Sequence, residues 1–309
     1  MKLTEIVERV RDVVRDPNAH TWDDAFIIRQ INLVQYDLFI RQAQADTSYF
    51  NAELELLGSE AVQKAQGAWE WHLPRWAYSV VQVREAHDSS ASWSAPIKRR
   101  RAFSEVQGWD FTARSRITLT GFSDAPDLEV WVAKIPAPLR VGSATTVHPE
   151  PNGLYLTTSE SIYDVELEEG SYINSVFEIK SAGLSGASLT GGQVRVARSS
   201  ALYNDGGSPR IDARMSADWS VALTTADEWE MHAEVADPHI RYLIMMAAEA
   251  CFQNTANVNG LNAIGRTLGA LRANFIEGIQ PRDNGEPGQW TASDDDYYLE
   301  DPDRDPMTL

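Results

Sequence analysis

Cysteine is almost absent from this chain of 309 residues: Cys251 stands alone. A single cysteine cannot form an intrachain disulfide, so the fold rests on packing, which suits assembly in a reducing cytoplasm. Its surroundings, the apolar run Leu243 to Phe252, mark it as a small core residue and not a reactive thiol. Long apolar stretches are missing as well. The longest, Leu243 to Ala248 and on past Glu249 to Phe252, falls well short of the ~20 residues of a membrane span, so no membrane partner is expected. The amino terminus, MKLTEIVERVRDVVRD, alternates charged and apolar residues and lacks the continuous apolar stretch of an export signal.

Basic residues are scarce. Lys and Arg number 27 against 45 Asp and Glu, leaving a formal net charge of -18. Such a chain repels nucleic acid, because phosphate binding needs clustered Lys and Arg to displace counterions. The basic run Lys98-Arg99-Arg100-Arg101 sits beside an expected strand start at Ile97, where charge blocks edge-to-edge pairing. Docking to an acidic partner is its other reading.

Catalytic signatures are missing too. There is no G-x-x-x-x-G-K-[ST] loop, no G-x-G-x-x-G after a strand and no H-E-x-x-H, and the six histidines are scattered. The segment Gly183 to Ala187 fails the G-x-S-x-G elbow at its last position. His232-Ala233-Glu234 matches half of a zinc-deaminase motif whose other half needs two cysteines, so it reads as a surface strand. Asp294-Asp295-Asp296 lacks the spacing of a calcium loop. Glu166 and Glu168 share a strand face as a glycosidase pair would, but Glu169-Gly170 beside them reads as a solvent-exposed turn. No catalytic residue, metal or cofactor is therefore expected.

What is present is a large apolar share, 43%, enough for packed cores in more than one domain. Leu3, Ile6, Val7, Val10, Val13 and Val14 recur at spacings of three and four, predicting a helix to about Arg15 that Asp16-Pro17-Asn18 ends. A second helix opens at Thr21-Trp22-Asp23-Asp24, with Thr21 as cap and Asp24 reaching back, and runs to about Ala45. Ile27, Ile31, Val34 and Leu38 form its buried stripe. Phe26, Tyr36, Phe39 and Ile40 widen the apolar face, as in a helix that packs on two sides, in a bundle or at a subunit contact. A weaker third helix is expected from about Asn51 to Gln66.

Alternation with period two takes over from Trp69. Strands are expected at Trp69–Pro74, Ser79–Glu85, Ile117–Thr120 and Leu128–Ile135, before Pro136-Ala137-Pro138 marks a joint. Beyond it come Leu154–Thr158, Tyr163–Leu167, Tyr172–Lys180, Gln193–Leu202, Val221–Thr225 and Trp229–Val235. Short strands with regular turn clusters suggest a small β-sandwich or barrel. Helices resume at Asp237-Pro238, with Ile240 to Phe252 apolar and a second stripe through Leu261, Ile264, Leu268, Leu271, Phe275 and Ile279. After Pro281 the chain turns polar and acidic, with too little apolar content to fold alone.

The expected class is therefore α+β: a helical bundle from the N- and C-terminal helices with inserted antiparallel β regions. The divisions are a helical part at 1–67, a small β region at 68–139 and an inserted β domain at 140–235. A second helical part follows at 236–280, then an extended acidic arm at 281–309.

This arrangement resembles the head-to-tail connector, or adaptor, proteins of tailed bacteriophages. The residues carrying the resemblance are Trp22-Asp23-Asp24 before Ile31-Asn32, then Leu73-Pro74 leading into Val80-Val81-Gln82-Val83, and the return to an apolar helix at Tyr242 to Phe252. It covers roughly residues 1–135 and 236–309, while 140–235 match nothing in the family pattern. The resemblance implies a non-enzymatic virion protein, made in the host cytoplasm and placed at the head–tail junction. It implies a ring of about a dozen copies. Its partners would be the portal protein above, a tail or stopper protein below, and double-stranded DNA passing through unbound. Ring contacts would come from Phe26, Tyr36, Phe39 and Ile40, and the portal-binding arm would use Trp290, Tyr297, Tyr298 and Leu299. The competing reading is a carbohydrate- or surface-binding protein, with Trp219 and Trp229 stacking on sugar rings unless they fill a core.

Overall fold

A computed structural model of the chain describes residues 1–44, 51–86, 96–97, 99–100, 108–111, 115–143, 148, 150, 152–157, 170–181, 193–202, 210–216, 223, 227–235 and 237–279. The class is mixed α+β, as the sequence pattern implies. Helix α1 (Leu3–Val14) buries Leu3, Ile6, Val7, Val10 and Val14 along one side. It closes at Arg15 in the left-handed region, φ 57°. The Asp16 carboxylate then accepts the backbone N–H groups of His20, Thr21 and Trp22 and fixes the turn. Helix α2 (Asp24–Gln44) starts after that turn. Its cap is Asp23, whose Oδ1 accepts the Phe26 N–H at 2.7 Å, and not the expected Thr21, which lies three residues before the helix begins.

The expected third helix is a strand. The segment Ala52-Glu53-Leu54-Glu55-Leu56 is rich in helix formers, yet its period of two decides the outcome. Ala52 and Leu56 are buried while Glu53 and Glu55 are exposed. This is β1 (Asn51–Leu56), which runs antiparallel to residues 128–133. It is followed by β2 (Val62–Ala65), β3 (Ala68–His72), β4 (Ala77–Glu85), β5 (Gly108–Phe111), β6 (Arg116–Thr120) and β7 (Leu128–Lys134). They form two sheets, ordered β1-β7-β4 and β2-β3-β6-β5. Tryptophans fasten them: Trp71 is buried and donates from Nε1 to the Leu57 carbonyl, and Trp109 donates to that of Ile97.

The next strands are β8 (Val141–Ser143), β9 (Gly153–Thr157), β10 (Val176–Ser181), β11 (Gln193–Leu202), β12 (Arg210–Met215) and β13 (Glu228–Met231). Among the described residues they form one six-stranded half-barrel sheet, ordered β8-β13-β10-β11-β12-β9. The expected strand at Tyr163–Leu167 lies outside the described residues, as does nearly all of Val221–Thr225. Helices α3 (Asp237–Asn254) and α4 (Val258–Ile279) follow, with Asn257 Oδ1 accepting the Gly260 N–H to cap the second.

The chain divides into two compact units. One unit takes residues 1–42, 74–76 and 134–279, the other 43–73 and 77–133. The six-stranded sheet falls in the same unit as α1, α3, α4 and nearly all of α2. The start of α1 meets β13 and bonds the sheet's buried Glu178 and Glu230 through Lys2 and Thr4, while α2 bonds residues 137–139 and the Glu234 N–H.

Candidate functional site

The covered face of that sheet is charged. Along β10 and β13, Phe177 pairs with Met231 and Ile179 with Trp229, so one face of the two strands is apolar. On the other face Glu178 stands directly opposite Glu230, and both are buried. Like charges at directly opposed positions repel, so each carboxylate needs its own partner. Glu178 takes the Lys2 ammonium and His232 Nε2, the latter at 2.9 Å. Glu230 accepts the backbone N–H of Thr4 at 3.1 Å and the Thr4 hydroxyl. α1 has no side-chain cap of its own at Lys2, so Glu230 caps it from the sheet, with negative charge at the positive end of the helix. Burial works to raise the Glu178 carboxyl, but the hydrogen bonds from Lys2 and His232 outweigh it and hold the group below its ordinary value.

The layer continues into Lys134, Glu234 and Ser175. Lys134 is fully buried, with Nζ 3.6 Å from Glu234 and no hydrogen bond of its own. Burial pushes its ammonium down, and Glu234 only partly opposes this. Ser175 donates to the Glu234 carboxylate at 2.6 Å, and Gln35 of α2 accepts the Glu234 backbone N–H at 3.1 Å. Gln35 also donates to the Ala137 carbonyl, and Asn32 holds both backbone groups of Leu139. α2 is thus tied to residues 137–139 by buried carboxamides. His232-Ala233-Glu234 is not the surface strand expected from its sequence: His232 is buried against Glu178 and Glu234 is bound to Ser175 and Lys134. Glu178 and Glu230 are closed to solvent, and the layer joins helices to sheet.

A second feature lies outward. α2 is apolar on two sides. Ile27, Ile31, Val34 and Leu38 are buried, while Phe26, Leu33 and Ile40, seven residues apart, line the opposite side with Tyr36 beside them. Leu33 is 43% exposed, and Phe26, Tyr36 and Ile40 are half-buried. Phe39 differs from the other expected contact residues: it is fully buried within its own chain and has no surface to offer a neighbour. Leu33 joins the expected residues on this side, and its seven-residue spacing from Phe26 and Ile40 is the sequence signal that marks it. On α4, Ile264 and Phe275 are buried, and Phe275 packs edge-on against His239 with ring centroids 5.0 Å apart. Its other side is open, with Val258 at 62% and Ile276 at 39% exposure and Gly265 and Gly269 facing empty space.

The remaining candidates separate clearly. Trp229 is buried and packs on Phe177 at 5.5 Å, so it fills a core and presents no stacking face. Arg99 lies over the Trp109 ring at 5.3 Å and the Arg100 N–H bonds the Trp109 carbonyl. Cys251 is buried, and burial pushes its thiol up to about 11. Trp219, Glu166, Glu168, Gly183 to Ala187, Lys98, Arg101, Asp294 to Asp296, Trp290, Tyr297, Tyr298 and Leu299 lie outside the described residues. Among the described residues no group of three or more His, Cys, Asp or Glu side chains is placed to hold a metal ion, and no helix is long and apolar enough to cross a membrane.

The fold and this layer define a mixed α+β protein whose helices and half-barrel sheet share one polar seam. Compared with protein-family models, with curated proteins and with solved structures, the chain matches none.

Proposed function

We propose that this chain is a structural virion protein, a head-to-tail adaptor that forms a ring of about a dozen copies between the portal and the tail of a bacteriophage. The observation that carries the reading is the double-sided apolar character of α2. One side packs inward, and on the other Leu33 is 43% exposed with Phe26 and Ile40 half-buried beside it. A soluble protein keeps such a face when a neighbouring subunit covers it. The charge of -18 suits a channel wall that lets DNA slide without gripping its phosphates. In this reading the acidic arm docks on the portal through Trp290, Tyr297, Tyr298 and Leu299. Aromatic anchors carry much of such binding, and the flanking acids steer the encounter. A tail or stopper protein binds the opposite end.

The test is to replace Leu33 by Asp and assemble the variant with its portal. The reading expects loss of ring formation while the melting temperature stays within a few degrees. Rings that form normally despite Asp at that position and at Phe26 would remove α2 from the contact and the reading with it.

A further inference from the structure

We propose that Glu178, Glu230 and Lys2 form an acid-sensitive lock that ties the start of the N-terminal helix to the six-stranded sheet. The inference stands on the geometry of the charged layer and is independent of the adaptor reading. The two carboxylates face each other across neighbouring strands, away from water. What makes this arrangement tolerable comes from the first four residues of the chain. Lys2 neutralises Glu178, and the Thr4 N–H and hydroxyl hold Glu230. Two backbone bonds close the same junction: Ala233 donates to the Met1 carbonyl, and Ile6 to that of Lys2 within the first helical turn. The charged groups around the lock are Lys2 just before α1 and Glu5 within it, Glu178 from β10, and Glu230 and His232 from β13 and its extension.

Protonation acts on this junction in one direction. Glu178 is held below its ordinary carboxyl value in the folded chain, so its contribution is complete above the unfolded value. It is lost as pH falls through the folded one. Once Glu178 is neutral, Lys2 and His232 lose the anion they share, and the helix start loses its tie. The remainder of α1 is anchored by Ile6, Val7, Val10 and Val14, so the opening is local.

Hydrogen exchange of the full chain, corrected for intrinsic rates, reads this at single amides. Protection at Thr4, Ile6 and Ala233 should hold from about pH 7 to about pH 5 and fall about tenfold by about pH 2.5, below the ordinary carboxyl range. Ser199 and Ala213, paired between β11 and β12, should stay within about twofold. In Glu178→Gln the three amides should be weakly protected already at neutral pH and insensitive to acid. Lys2→Met, at a position whose side chain is 41% exposed and outside the core, should fold normally and release at higher pH than the parent. Loss of protection at Thr4, Ile6 and Ala233 together with the β11–β12 pair, in parent and Lys2→Met alike, would overturn the proposal.

Discussion

The carboxamide of Asn32 holds Leu139 by both of its backbone groups: Oδ1 accepts the Leu139 N–H at 2.7 Å, and Nδ2 donates to its carbonyl at 3.2 Å. All of this is buried, so the side chain of one helical residue serves Leu139 as a partner strand would. Asn32→Leu would leave two backbone groups unbonded away from water. That should destabilise the chain by about 3 kcal/mol in urea unfolding. Asn32→Asp, which keeps the acceptor and loses the donor, should fall between the parent and Asn32→Leu. A cost below about 0.5 kcal/mol for Asn32→Leu would show that water reaches this segment.

Lys134 and Glu234 should behave as a coupled pair. Glu234→Gln leaves a buried ammonium without its counter-charge and should cost about 3 kcal/mol. The double variant Lys134→Met with Glu234→Gln should recover most of that loss, because Met fills a similar volume without charge. For Glu234→Gln, stability should rise as pH climbs from the lowered folded value of Lys134 toward its unfolded value, since the unfolded chain then binds more protons. Additive single effects in the double-mutant cycle would contradict the coupling.

The Cys251 thiol, buried and pushed up to about 11, should resist alkylation at neutral pH and react within minutes once the chain is unfolded. Rapid labelling of the native protein, followed by mass spectrometry, would place the residue in an open pocket instead.

Phe39 and Leu33, six positions apart on one helix, should separate folding from assembly. Phe39→Ala empties a fully buried site and should cost about 3–5 kcal/mol in urea unfolding. Leu33→Ala changes an exposed position and should shift stability by no more than about 0.5 kcal/mol. A large loss from Leu33→Ala would show that its face is already covered within the chain.

These particular residues also show what was legible in the sequence. The stripes of α1 and α2 were, because Ile27, Ile31, Val34 and Leu38 recur with the helical period and are buried together. β1 was not, because Leu and Glu favour helices locally, and pairing with residues 128–133 overrides that preference. β12 carries a strand signal of its own, since Ile211, Ala213 and Met215 alternate with Arg210, Asp212 and Arg214. The polar layer was out of reach. Glu178 and Glu230 look like solvent-facing strand residues until the helix start, more than 170 positions earlier in the chain, is brought onto them.

The measurement that bears most directly on the adaptor reading is electron cryo-microscopy of an assembled particle containing this chain. The account predicts a closed cyclic ring at the head–tail junction, about a dozen copies around, with Phe26, Leu33, Tyr36 and Ile40 of one subunit buried against the next. Isolated copies on the particle surface, or a ring in which that side of α2 faces water, would contradict it.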